Sequence, residues 1–186
     1  MSTGEGPAGG RSLEDALRAL TDEQRASDAV AERRRERDLR RQAAESGTLP
    51  DALRDIGERA VSVAVTTASG RTVSGTIRTV GADFVGLQSV SGTPVMVALS
   101  AVELLRPAPD APATVGDDRA LVVRAGMAGV LAELATDRLE VTVHVRSGDR
   151  VAGRLQSVGT DLVAVAADDG SVAYVPLAAV AEVALS

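Results

Sequence analysis

The sequence predicts an α+β fold: two five-stranded β-barrels in tandem, each preceded by a helix, behind an N-terminal helical arm. Three observations predict it. Two Val-rich segments, 61–106 and 139–185, alternate apolar and short polar residues and carry Gly at regular intervals, the pattern of strands and tight turns. The two segments align without a gap at an offset of 78 positions, as an internal duplication does. Each follows a stretch with helix signals.

Residues 1–11 are Gly/Ser-rich and have nothing to bury, so disorder is expected there. Residues 12–47 read as a charged helical arm. Ser12 with Asp15 resembles an N-terminal cap, and Leu13, Ala16, Leu17 and Leu20 share one face. Thr21-x-x-Gln24 is a second start signal, and Gly47 a stop. Pro50 suits the first turn of a short helix over 51–59, which opens the first β unit, 48–106. Pro107, Pro109 and Pro112 mark 107–116 as a linker. A helix over 117–136 then opens the second unit, 117–186, with Asp117-Asp118 placed for a helix N-terminus.

Glycines and an aspartate hold the alignment in register. Gly70 matches Gly148, Gly75 matches Gly153, Gly81 matches Gly159, Gly92 matches Gly170, and Asp83 matches Asp161. Strands are expected at 61–67, 71–80, 83–89, 94–99 and 102–106, and 78 positions later. Gly70 and Gly148 supply the positive φ of the first hairpin turns. Gly75 and Gly153, inside the second strands, mark a bend. Gly81-x-Asp83 and Gly159-x-Asp161 form the next turns, where a carboxylate bonds nearby amides. Phe84 and its counterpart Leu162 are expected at equivalent core positions.

The run Val63-x-Val65-x4-Gly70-x-x-Val73-x-Gly75-x-Ile77, a turn with Gly81 and Asp83, and Phe84-Val85-x-Leu87 resemble the first motif of the Sm-like fold (Sm, Lsm, Hfq), a helix followed by a bent SH3-like barrel. The order of arm, unit, Pro linker, helix and unit is also similar to a group of actinobacterial proteins. The resemblance implies Sm-like/SH3-like barrels. It does not extend to the family's uridine site: the chain has no Asn, and Ala98-Leu99-Ser100-Ala101 and Pro176-Leu177-Ala178-Ala179 stand where the second motif belongs.

Composition narrows function. The chain has 186 residues, a net charge of −6, no Cys and one His, with Phe84 and Tyr174 its only aromatics. Disulfide scaffolds and Cys-based zinc sites are excluded, and base stacking on aromatics is disfavoured. No signal-peptide core or spanning segment is seen, so a cytoplasmic location without membrane contact is expected. His144 has no metal or catalytic company, and Asp168-Asp169 before Gly170 reads as a turn. No cofactor, metal or enzymatic activity is expected.

The remaining feature is a basic run, Arg33, Arg34, Arg35, Arg37, Arg40 and Arg41, interleaved with Glu32, Glu36 and Asp38. Such a helix suits self-association or a protein partner. Alternatively, with Arg71 and Arg78 of the first β unit, it forms a surface for RNA or DNA. Small basic patches are also conceivable from Arg54, Arg59, Arg71 and Arg78, or from Arg146, Arg150 and Arg154. The expected function is therefore a non-enzymatic interaction or assembly protein, with a nucleic-acid-binding regulator as the alternative.

Overall fold

A computed structural model describes residues 32–38, 41–42, 47–108 and 120–185. Residues 32–38 and 41–42 are helical and exposed. The rest of the arm, Asp117-Asp118 and most of the Pro-rich linker lie outside the described residues.

From residue 48 onward the order is α1 (Leu49–Glu58), β1 (Ser62–Thr67), β2 (Thr72–Val80), β3 (Phe84–Ser89), β4 (Pro94–Ala98) and β5 (Val102–Pro107). Then come β6 (Leu121–Val122), α2 (Met127–Thr136), β7 (Glu140–Val145), β8 (Arg150–Val158), β9 (Leu162–Ala166), β10 (Val172–Pro176) and β11 (Val180–Leu185). Strands β7 to β11 begin 78 positions after β1 to β5. Single-turn 3-10 helices, Leu99–Ala101 and Leu177–Ala179, lead into β5 and β11.

The strands do not form two separate barrels. They make one sheet of eleven strands in the order β10-β9-β8-β7-β11-β4-β3-β2-β1-β5, with β6 parallel to β2. The correction follows from one pairing. β11, the last strand of the second segment, lies antiparallel on β4 of the first, with Glu182 opposite Val97, Val183 opposite Met96 and Ala184 opposite Val95. On its other side β11 pairs with β7. The edge of β4 is thus taken up by the other segment, and neither segment closes on itself.

Strand β4 also divides the interior. Val95 and Val97 enter one core with Leu53, Ile56, Val63, Val65 and Ile77. Met96 and Ala98 point the opposite way, into a second core with Met127, Leu131, Val143, Leu155 and Val183. Period-two alternation on a strand buried on both faces accounts for this. Phe84 and Leu162 are not equivalent. Phe84 is buried in the second core, whereas Leu162 is half-buried. The ring of Phe84 lies against Gly81, where a Cβ would sit 2.1 Å from it.

The long second strands bend at bulges. Ile77 faces Leu87 and Thr79 faces Gly86, so Arg78 is the extra residue; in β8, Gln156 is the extra residue between Leu155 and Ser157. A bulge reverses the alternation, which lets Ile77 and Val80 both face inward. Gly75 and Gly153 permit close approach of the next strand: a Cβ would lie 2.1 Å from the Gln88 carbonyl oxygen in one case and 2.2 Å from that of Ala166 in the other.

Helix α1 starts two residues before the expected span, with Thr48 capping and Pro50 in its first turn. Helix α2 is shorter than the 117–136 span. Leu121 and Val122 pair with Thr79 and Val80 instead of coiling, and Gly126 is the N-cap. The cap ligand comes from afar: Asp83 accepts a 2.7 Å hydrogen bond from the Met127 amide, and a carboxylate suits the positive end of a helix.

Replacing Gly75 or Gly153 by Ala is expected to destabilise the fold by about 1–3 kcal/mol each, because backbone must move to admit the methyl. Gly129, inside α2 with open space around it, gives the control: Gly129→Ala should stabilise by about 0.5–1 kcal/mol. Urea unfolding of the three variants measures both.

Candidate functional site

Two kinds of feature stand out: the junction of β4 with β11, and the two outer strands of the sheet.

At the junction Glu182 is a buried acid, 1% exposed. Its Oε1 accepts a 2.5 Å hydrogen bond from Arg71 Nε, across 111 positions of sequence. His144, opposite Glu182 on β7, places Nε2 3.7 Å from the same oxygen. Glu182 Oε2 has no partner among the described residues. Arg146 makes a second polar clasp. Its guanidinium donates to the Ser100 carbonyl (2.9 Å), the Ser100 hydroxyl (2.5 Å) and the Ala178 carbonyl (3.0 Å), tying the two 3-10 turns together.

His144 is buried, and burial pulls its imidazole below the usual 6.5. The positive charges of Arg71 and Arg150 act in the same direction, and Glu182 opposes them. In the folded protein the ring therefore resists protonation.

Beside the junction lies a polar cleft of about 550 Å³, lined by the start of β2, the β3–β4 hairpin, β7, β11 and Arg150 of β8. A separate, mostly apolar groove of about 360 Å³ runs between β2, β3, β4 and the segment leading into α2.

The basic residues read from the sequence are dispersed. Arg33, Arg34, Arg35, Arg37 and Arg41 lie on the exposed helical arm, and Arg40 lies outside the described residues. Arg71 lines the polar cleft and Arg78 the apolar groove. Arg54 is paired with Asp51, Arg59 with Asp55 and Arg154 with Glu140. Of the residues considered for small basic patches, Arg54, Arg59, Arg71 and Arg154 each face an acidic partner and Arg146 is engaged at the junction. The turn glycines sit as expected, with positive φ at Gly70 (78°) and Gly148 (92°). Gly81 and Gly159 each donate a backbone hydrogen bond that closes the turn before β3 or β9. Asp161 is exposed, and its carbonyl accepts from the Leu177 amide. Asp169 accepts from the amide and hydroxyl of Ser171, which hold its carboxyl below the usual range.

Sequence reading missed Glu182. Its signal was present, because position 104, which is 78 earlier, is Leu. A charge that replaces an apolar residue in an otherwise matching strand marks a place where the two segments differ in environment.

The outer strands are β5 and β10, each paired on one side only among the described residues. Tyr174 on β10 is 69% exposed and Leu104 on β5 is 39% exposed. Among the described residues, no three or more His, Cys, Asp or Glu side chains are grouped to hold a metal, and no helix is long and apolar enough to cross a membrane. Comparison with protein-family models and with curated proteins finds no match to this chain.

Arg71→Ala leaves the buried carboxylate uncompensated and is expected to cost about 2 kcal/mol, less than a fully buried pair because Arg71 is half exposed. Glu182→Leu, which installs the residue found at position 104, should be neutral or stabilising by about 1 kcal/mol. Denaturant midpoints of both variants check the contrast. Because the folded state disfavours His144 protonation, the unfolded chain takes up the proton first. Stability is full above pH 6.5 and declines as pH falls below it, towards the depressed folded value. His144→Gln should flatten the stability profile between about pH 7.5 and about pH 5.5.

Proposed function

We propose that the protein is a non-enzymatic interaction and assembly module that acts through its outer strands β5 and β10. The single observation that carries this reading is the contrast between Met96 and Tyr174. They occupy corresponding positions, 78 apart. Met96, on β4 beside β11, is 6% exposed, and Tyr174, on β10 with no strand on its outer side among the described residues, is 69% exposed. An uncovered strand offers free amides and carbonyls to an incoming strand. An aromatic side chain on it supplies apolar area for a contact.

The internal junction is a template for the partner. β4 accepts a strand of the type of β11, and β5 has the position in the first segment that β11 has in the second. A second copy offering β5 to β10 would, by that register, bring Leu105 opposite Tyr174 and Leu104 opposite Val175. Such head-to-tail pairing is heterologous, so it builds a ring if it closes and a filament if it does not.

Sedimentation across a hundredfold range of concentration tests the reading. Concentration-dependent association is expected, weakened about tenfold or more by Tyr174→Lys, since a charge on the edge opposes strand addition. A strict monomer that also captures no specific protein from host extract would end the proposal.

The second reading, RNA or DNA binding, is favoured by the exposure of Arg34, Arg35 and Arg37 on the helical arm. It is weakened by the separation of Arg71 and Arg78, which line different clefts of the sheet. It predicts affinity that falls steeply with salt and is lost when Arg34, Arg35 and Arg37 are replaced together.

A further inference from the structure

The polar cleft beside the β4–β11 junction has a chemistry that strand addition does not use. Its volume of about 550 Å³ falls within the range of small-molecule sites. Its charged lining is Arg71, Arg150 and Glu182, with His144 held neutral by burial and by the two arginines. The balance is one net positive charge. Arg150 is exposed, and its guanidinium has neither a hydrogen bond nor an ion pair with any described residue. The rest of the polar lining is hydroxyl groups: Thr72, Ser74, Ser89, Ser91, Thr93 and Thr142.

We propose that this cleft binds the phosphomonoester of a small polyhydroxylated molecule. The phosphate sits on Arg150 and Arg71, and a ligand hydroxyl donates to Glu182.

Each part has a physical reason. Two guanidinium forks recognise the several oxygens of a phosphate better than a single carboxylate, and Ser and Thr hydroxyls serve the remaining oxygens. The cleft is much larger than one phosphate ion, so it accommodates a body as well as a head group. The body is polar, since ten of the fourteen lining residues are hydroxyl-bearing, charged or His and no Phe, Tyr or Trp offers a stacking face. Glu182 decides the last point. Its Oε2 is a buried carboxylate oxygen without a partner. An ionised carboxylate only accepts hydrogen bonds, so whatever completes it must bring a donor. A sugar hydroxyl does so, and a bare phosphate at neutral pH is a poor substitute. Oε2 is closed to solvent, so the ligand hydroxyl reaches it with a local side-chain rearrangement.

Isothermal titration of the full chain with ribose 5-phosphate, AMP, inorganic phosphate and ribose tests this independently of assembly. Ribose 5-phosphate is expected to bind at least about tenfold more tightly than inorganic phosphate or ribose, because both ends of the ligand are recognised. AMP binding equal to or weaker than ribose 5-phosphate assigns the site to sugar phosphates. AMP binding tenfold tighter assigns it to nucleotides, which supply the same phosphate and hydroxyls. Arg150→Ala, at an exposed position outside the junction pair, should weaken the phosphorylated probe about tenfold. Glu182→Gln, which removes a negative charge beside Arg71, should strengthen inorganic phosphate binding and narrow its gap to ribose 5-phosphate. The proposal is overturned if neither phosphorylated probe binds at millimolar concentration. It is equally overturned if inorganic phosphate binds as well as ribose 5-phosphate, or if Arg150→Ala matches the parent chain.

Discussion

A strand edge in a buried setting cannot stay unpaired, because each amide and carbonyl removed from water must find a partner. In this protein that demand falls on β4. Its two faces both point into apolar cores, so one side of its ladder goes to β3 and the other must be met by a strand from elsewhere. β11 meets it. Much else depends on this pairing. It joins ten strands into one path, places Glu182 opposite His144, brings Arg71 within reach of both, and forms the polar cleft. It also leaves β5 and β10 as the outer strands, because the partner each would need for closure is engaged within the chain.

The local elements were legible and the joining of them was not. Alternating Val residues locate β1, β2, β7 and β8 because a half-buried strand needs period two; Gly75 and Gly153, expected as bends, instead admit the close approach of the neighbouring strand, and the bulges fall at Arg78 and Gln156. The same logic misjudged α2. Gly126 ends one conformation and begins another, and Leu121 and Val122, apolar enough for a helix face, are claimed by a parallel pairing with β2. Nothing in the strand pattern says whether the fifth strand returns to its own fourth strand or to that of the other segment. Both choices bury the same side chains on the same faces. The choice rests on long-range register, which a local pattern does not encode.

Among the candidate site residues, the arginines were recognisable as a group but not as individuals. Arg71, Arg78 and Arg146 are equivalent in composition, yet one meets a buried acid, one borders an apolar groove and one clasps two turns. Only the fold distinguishes them. Glu182 was recognisable in principle, by asking where the two segments differ instead of where they agree.

That question also separates the inner junction from the outer edges. Moved by 78 positions, the Arg71–Glu182 pair becomes Asp149 with Leu104, and the Arg146–Ser100 clasp becomes Ala68 with Ala178. An outer strand pairing built on the inner template therefore contains neither polar contact. Buried ion pairs add little net stability but penalise wrong partners heavily, since a lone buried charge is costly. The inner junction is thus the specific one: on β4 the buried Glu182 of β11 is answered by Arg71, whereas beside β10 the corresponding residue is Asp149, which would leave that carboxylate buried and unpaired. The outer strands have exchanged that discrimination for apolar surface at Tyr174 and Leu104. Pro107 and Pro176, which cannot donate a ladder hydrogen bond, stand at their ends and limit how far a strand can zip. An association of the kind proposed there would rest on apolar contact and short ladders, and so would be reversible and little affected by salt, whereas the junction inside the chain carries the Arg71–Glu182 ion pair.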